Sequence, residues 1–243
     1  MLRFELSRKE IRAFYLVIIG LDLFFILANS PFLFTPLDQT VAQPTSVVDF
    51  IKYQLDLKRE AVLATWYSGS LLFVTGMIAV LISRARGAAT QGKAYRIGWS
   101  LAGLLFIGIS ADEVCQFHEH AVALYKLIWP EAAASRGPGD WIPVLLPLAV
   151  IVTVGLVLFS ALVLSADKRS QVLALVAIGC WIGAILAESF EGGLSSASGS
   201  RALQGFIEES LEIIGTTLFC VSFLEFLKKQ QRGDLAFPPT HEA

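Results

Sequence analysis

Apolar positions fall into six runs, residues 13–34, 61–83, 97–117, 142–165, 171–190 and 205–227, separated by polar stretches. Each run is close to the roughly 20 residues a helix needs to cross a ~30 Å hydrocarbon core. Segments of that length satisfy their backbone inside a bilayer only as helices, so the pattern predicts an all-α fold, a polytopic membrane helical bundle of six transmembrane helices. It forms a single domain over residues 1–230, with a flexible tail over 231–243. Residues 35–47 (TPLDQTVAQPTSV) read as a loop from their two prolines, and 48–60 (VDFIKYQLDLKRE) read as a surface helix from apolar positions at helical spacing. The short connections at 84–96 and at ADKR predict antiparallel neighbours packed in sequence as three hairpins. The first run carries Asp22 and continues through Phe32 and Phe34 without a small-residue cleavage site, so it reads as a helix rather than a signal peptide.

Composition agrees with the pattern: 55% of residues are hydrophobic, 16% are charged, and the mean hydropathy is +0.63. An ordinary soluble domain is excluded. A net charge of −2 with no basic stripe and interleaved aromatics excludes a nucleic-acid binder. Thirteen of the 19 basic residues lie at 3–12, 84–96, 168–169 and 228–232, all on one side of a six-span chain. The positive-inside rule puts that side, and both termini, in the cytoplasm, with 35–60, 118–141 and 191–204 facing outward. Three cysteines make no disulfide framework: Cys180 and Cys220 sit deep in apolar helix as packing residues, whereas Cys115 lies in a polar cluster.

That cluster, SADEVCQFHEH at 110–120, changes the picture most. Counted at about 1.5 Å per residue from the nearest basic flank, Asp112, Glu188 and Glu212 all stand ~24–28 Å up their helices, in one layer with Trp66, Tyr67 and Ser68. On a continuous helix Asp112 and Glu119 share a face, as do Glu113 and His120, while His118 points elsewhere. Glu188 and Glu191, Glu209 and Glu212, and Glu208 and Glu212 are spaced to put two carboxylates on one helical face. Intramembrane charge costs several kcal/mol, on the order of 3 for a single residue on insertion scales, and Lys126, Arg136 and Arg201 are the bases counted near this layer against eight acids. Bound protons or a bound metal cation are the two ways left to neutralise them. Asp22, mid-span, is either a hydroxyl-paired packing acid or a functional one.

DLKREAVLATWYSGSLL, SADEVCQFHE and IEESLEIIG, in that order on successive spans, resemble a family of uncharacterised bacterial multipass membrane proteins with the patterns DLxxExxxxTW[FY]S, DExxxxHE and EExLE. The resemblance covers about residues 55–215 and picks out Glu60, Trp66, Ser68, Asp112, Glu113, His118, Glu119, Glu208, Glu209 and Glu212. It implies the bacterial cytoplasmic (inner) membrane. The spacing of His118 and His120 provides no pair of ligands on one face of the kind a ceramidase-type zinc site uses, and a b-type haem lacks facing histidines.

Three functions are expected to compete. In the first, Asp112, Glu113, His118, Glu119, His120, Glu188, Glu191, Glu208, Glu209 and Glu212 hold a divalent metal, iron, manganese or zinc, in an outward-facing pocket open to metal-dependent enzyme chemistry and supported by Glu60, Trp66, Tyr67, Ser68, Cys115 and Asp22. In the second, the chain is an accessory or assembly subunit among other membrane subunits. The third is proton or cation transport, with Asp22 as a lower station; the apolar lower halves of the spans argue against it and for a closed outer pocket. The lipid bilayer is the partner common to all three.

Overall fold

The computed structural model describes residues 7–30, 46–59, 61–85, 91–129, 142–189 and 198–235, with the side chains of Arg8, Glu119, Ile142, Pro143 and residues 198–201 outside the description. All the regular structure among the described residues is helical: α1 (Arg8–Ala28), α2 (Val47–Leu55), α3 (Leu63–Arg84), α4 (Lys93–Cys115), α5 (Phe117–Ile128), α6 (Ile142–Leu162), a short 3-10 turn (Leu164–Ala166), α7 (Lys168–Ser189) and α8 (Ser198–Arg232). Six of these are long and apolar enough to cross a membrane: Lys9–Ala28, Leu63–Arg84, Lys93–Cys115, Val144–Ala166, Lys168–Ser189 and Ala202–Arg232.

Helix α1 starts earlier than its apolar run because Ser7 and Glu10 form a reciprocal capping box, with the Ser7 hydroxyl accepting from the Glu10 amide and the Glu10 carboxylate from the Ser7 amide. It ends at Asn29, whose side chain donates to the carbonyls of Phe25 (2.8 Å) and Leu55 (2.7 Å) and accepts from the Leu57 amide (3.0 Å). One amide side chain thus fastens the end of the first span to the connection between α2 and α3.

Helices α3 and α4 pack at close range along small residues. A Cβ on Gly76 would stand 2.7 Å from the Gly103 carbonyl oxygen, one on Gly103 would stand 2.6 Å from Val80, and the Ser110 hydroxyl donates to the Gly69 carbonyl at 2.7 Å. Gly69 and Gly76, and Gly103 and Ser110, are each seven apart, the period of a left-handed seam. Between α7 and α8 the close point is Gly215, where a Cβ would meet the Trp181 ring at 2.6 Å. Both pairs enclose an aromatic core: Trp99 lies 4.9 Å from Phe159, 5.1 Å from Phe223 and 5.0 Å from Phe226 between ring centroids, and Phe106 lies 5.0 Å from Phe219.

The expected three-hairpin order holds only in part. The 84–96 connection does join packed neighbours, but α6 touches α7 sparingly, and α8 takes the centre, packed on α7, α3 and α1. At 35 residues, about 52 Å long, α8 also overruns the predicted span 205–227 at both ends, because a hydropathy run marks only the apolar part of a helix. The predicted loop at 35–47 lies mostly outside the described residues, while the surface helix expected at 48–60 is α2.

At the basic end Asp167 caps α7. Its carboxylate accepts from the Arg169 amide at 3.2 Å, the Ser170 hydroxyl at 2.7 Å and the Lys229 ammonium at 2.6 Å, which anchors α8 to the α6–α7 turn. Burial pushes the Asp167 carboxyl upward, and the hydrogen bonds and charge of Lys229 together with Ser170 outweigh it, holding it below the usual aspartate value.

Candidate functional site

The opposite, acid end of the bundle is assembled from four pieces of chain. The first is the turn after α2. Asp56 organises it, accepting from the Lys58 amide at 3.1 Å and from Arg59 Nε at 3.1 Å, while the Thr65 hydroxyl bonds to the Arg59 carbonyl and Arg59 stacks 4.7 Å over the Tyr53 ring. With Asn29 holding Leu55 and Leu57 from the other side, the backbone of residues 56–59 is held from both sides.

That rigid turn throws Lys58 across α8. A Cβ added to Gly205 would overlap the Cδ, Cε and Nζ atoms of Lys58, so the lysine stem lies directly on the glycine. Its ammonium acts electrostatically on Glu209, as do the carboxylates of Glu208, Glu212 and Glu113. The cation missing from the sequence-based charge count is therefore Lys58, which that count left on a surface helix. A side chain at 205 would push the flexible end of Lys58 aside.

The second and third pieces are α3 and α4. Glu113 of α4 packs against α3 next to Ser68, where a Cβ on Gly69 would stand 3.7 Å from its Cγ. Tyr67, one residue earlier, faces elsewhere: its hydroxyl bonds to Asp22 of α1, whose other carboxylate oxygen accepts from Thr217 of α8 at 2.7 Å. Asp22 is thus a buried acid tied to two hydroxyls on two other helices. Trp66 is 65% exposed and points away from the acids, as an indole at a membrane boundary does.

The fourth piece corrects the expected geometry of SADEVCQFHEH. The helix breaks at Gln116, which takes a left-handed conformation (φ 55°) and donates its amide to the Asp112 carbonyl at 2.7 Å. A seven-residue face cannot continue through this break, so the pairings of Asp112 with Glu119 and of Glu113 with His120 do not follow from periodicity. The turn instead brings His118 back onto Asp112, whose two carboxylate oxygens meet the His118 amide at 2.9 Å and Nδ1 at 2.8 Å. His120 is held the same way, Nδ1 against the Gln116 carbonyl at 2.7 Å. With Nδ1 occupied, each imidazole presents Nε2 as its base or ligand atom. Cys115 is exposed beside the break.

The structure brings Glu113, Glu208, Glu209 and Glu212 together with Lys58, and pairs Asp112 with His118 next to Glu113, whose carboxylate senses both. Glu212 sits where Trp181 donates to its backbone carbonyl at 3.4 Å, on the α7–α8 contact, and Glu188 lies half-buried on α7 beside Ala187, whose carbonyl accepts from Gln204 at 2.8 Å. Glu60, Glu191 and the Glu119 side chain lie outside the described residues. Among the described residues no group of three or more His, Cys, Asp or Glu side chains is arranged to hold a metal ion. Within this end of the bundle His118 is bonded to Asp112, and Lys58 acts on Glu209.

Sequence reasoning missed Lys58, Gly205, Thr217 and the buried acid Glu225. For Lys58 the signal was a lysine three residues past α2 in a turn with Asp56; for Glu225 it was Lys228 one helical turn on, now 3.2 Å from its carboxylate.

No curated protein and no solved structure matches the chain. A family match covers residues 13–226, from the first span through the last, and so takes in every helix that builds the acid pocket. The chain belongs to the family described as Domain of unknown function (DUF8692).

Proposed function

We propose that this is an integral protein of the bacterial cytoplasmic membrane, with its basic end and both termini in the cytoplasm, and that its working part is a proton-holding carboxylate pocket open to the outer face. The six apolar helices and the placement of 13 of 19 basic residues on one side support the topology. The observation that carries the pocket reading is the convergence of Glu113, Glu208 and Glu212 on Glu209, with Lys58 laid over Gly205 and acting on the same carboxylate. Carboxylates placed this close do not all ionise cheaply, so protons are shared among them. The Asp112–His118 pair at the rim, half-exposed, passes protons between the pocket and the outer aqueous phase.

Elemental analysis of detergent-purified protein tests this reading. Metal well below one ion per chain, unchanged in Glu212→Gln, fits a proton-holding pocket. A second reading, a divalent metal site for iron, manganese or zinc, is favoured by the anchoring of His118 and His120 through Nδ1, which leaves both Nε2 atoms oriented as metal-ligating histidines are. Stoichiometric metal that disappears in Asp112→Ala and His118→Ala would contradict the first reading and establish the second.

A further inference from the structure

Four of the long helices pack in series, α4 on α3, α3 on α8 and α8 on α7, while α4 and α7, at the two ends of the series, make no comparable backbone approach. Side chains bridge them, with the Phe106 and Trp181 rings 5.6 Å apart between centroids. Helix α6 closes this seam near the basic end, where Phe159 stands 4.9 Å from Trp99 and both Leu156 and Ser160 are buried. Its outer half is not packed into the bundle: among the described residues none from 144 to 155 is buried, and Leu148, Val150, Ile151 and Val154 are each more than half exposed. The outer half of the α4–α7 seam is thus a cleft that opens sideways, with α8 as its floor.

The cleft changes character along its length. Phe106 and Glu113 are seven residues apart on α4, as are Trp181 and Glu188 on α7, so on each wall an aromatic ring and a carboxylate about 10 Å further out share a face. On the floor Trp181 donates to the Glu212 carbonyl at 3.4 Å, and Glu208 lies one turn beyond. Gln204 adds a group that asks for a donor. It is 7% exposed, stands one turn from Glu208, and gives its Nε2 to the Ala187 carbonyl at 2.8 Å beside Glu188, yet its Oε1 has no hydrogen-bond partner. A buried amide oxygen without a donor is costly. A primary ammonium supplies N–H donors to that oxygen and positive charge to the acids around it, whereas a quaternary ammonium supplies charge alone.

We propose that the cleft admits a membrane lipid whose head group carries a primary ammonium, with an acyl chain along the Phe106 and Trp181 walls and the ammonium between Glu188, Glu208 and the Gln204 oxygen. Apolar walls with a few convergent polar groups at one end are the usual make-up of a small-molecule site. The sideways opening and the aromatic lower walls suit an amphiphile drawn from the bilayer better than a soluble amine. Charge complementarity points the same way, because Lys58 lies on the Gly205 side of α8 and leaves the acids of the α7 side to another cation.

This deepens the pocket reading and rests on its topology, and the experiment separates the two. Full-length protein in phosphatidylcholine nanodiscs receives a small share of phosphatidylethanolamine or of phosphatidylcholine with brominated acyl chains, and tryptophan fluorescence is read. Trp66 and Trp129, exposed on the surface, are expected to be quenched by either lipid alike. Trp181 is expected to be quenched several-fold more by brominated phosphatidylethanolamine, an excess that vanishes in Trp181→Phe and falls in Gln204→Met. Free ethanolamine at the same concentration is expected not to compete. Equal quenching by the two lipids, an excess that survives Trp181→Phe, or full competition by free ethanolamine overturns the lipid site. The wild-type comparison needs no variant, so it decides even where a variant fails to fold. Selective quenching in protein that also holds stoichiometric metal would keep the lipid site and remove the proton-holding reading; equal quenching in metal-free protein would do the reverse.

Discussion

Lys58 and Gly205 show how one pair of residues decides the electrostatics of an entire end of the molecule. The lysine stem lies where a Cβ on residue 205 would stand, so a side chain there would push its flexible end aside. Gly205→Val is therefore expected to displace the ammonium from Glu209 and lower stability by about 1 kcal/mol, the loss of one charged contact. Thermal unfolding in detergent checks it, and a melting temperature equal to wild type would show that the lysine is not seated there. At the other end Asp167 offers a pH test. Its carboxyl is held below the ordinary aspartate value by Lys229 and Ser170 against the opposing effect of burial, so its contribution is present above the unfolded value of about 4 and is lost as pH falls through the lower folded value. Wild type is expected to lose stability over that acid window, and Asp167→Asn, less stable at neutral pH, is expected to lose less; identical acid profiles for the two would contradict the assignment.

Among the elements, the break between α4 and α5 is where sequence and structure part most clearly. The stretch around Gln116 has no glycine or proline to announce a break, and its polar residues suit a continuous helix end as well as a turn. What stops the helix is tertiary: the Asp112 carboxylate takes the His118 amide and ring, compensating a left-handed glutamine. Gln116→Gly, which removes the penalty of the left-handed backbone, is expected to hold or raise stability by about 1 kcal/mol, while Gln116→Val lowers it by a similar or larger amount. The opposite ranking in thermal unfolding would mean that the helix is continuous there. Hydropathy runs made the six long helices legible in number and order, though α1 begins five residues before its run and ends six before the run does. They could not reveal α5, whose twelve residues are too short to count as a span, or the true length of α8, whose ends are polar. Nor could they show that the turn after α2 folds back over α8, because that depends on Asn29 at the end of another helix.

At the scale of the whole molecule the two ends of the bundle differ in kind: a basic end with Asp167, Glu225 and their lysines, and an acid end with Lys58 among glutamates. On the proposed topology the acid end faces outward. In a background lacking the three native thiols, Ser198→Cys, at the start of α8, is expected to label from the outer side alone; labelling from the cytoplasmic side alone would invert the topology and the orientation of the pocket. Helix rise puts Asp112, Glu188 and Glu212 at similar counts along their helices but says nothing of their partners: Tyr67 bonds Asp22, and Asp112 bonds His118. Depth along a helix follows from counting residues, whereas the direction a side chain takes depends on helix packing. The most direct test of the account is a double-mutant cycle between Lys58 and Glu209, read as melting temperature in detergent. Lys58→Met alone should destabilise by about 2 kcal/mol, as removal of a charge-assisted contact does, and far less once Glu209→Gln has removed the carboxylate it acts on. Additive effects of the two substitutions would contradict the claim that the lysine is seated at the Glu209 carboxylate.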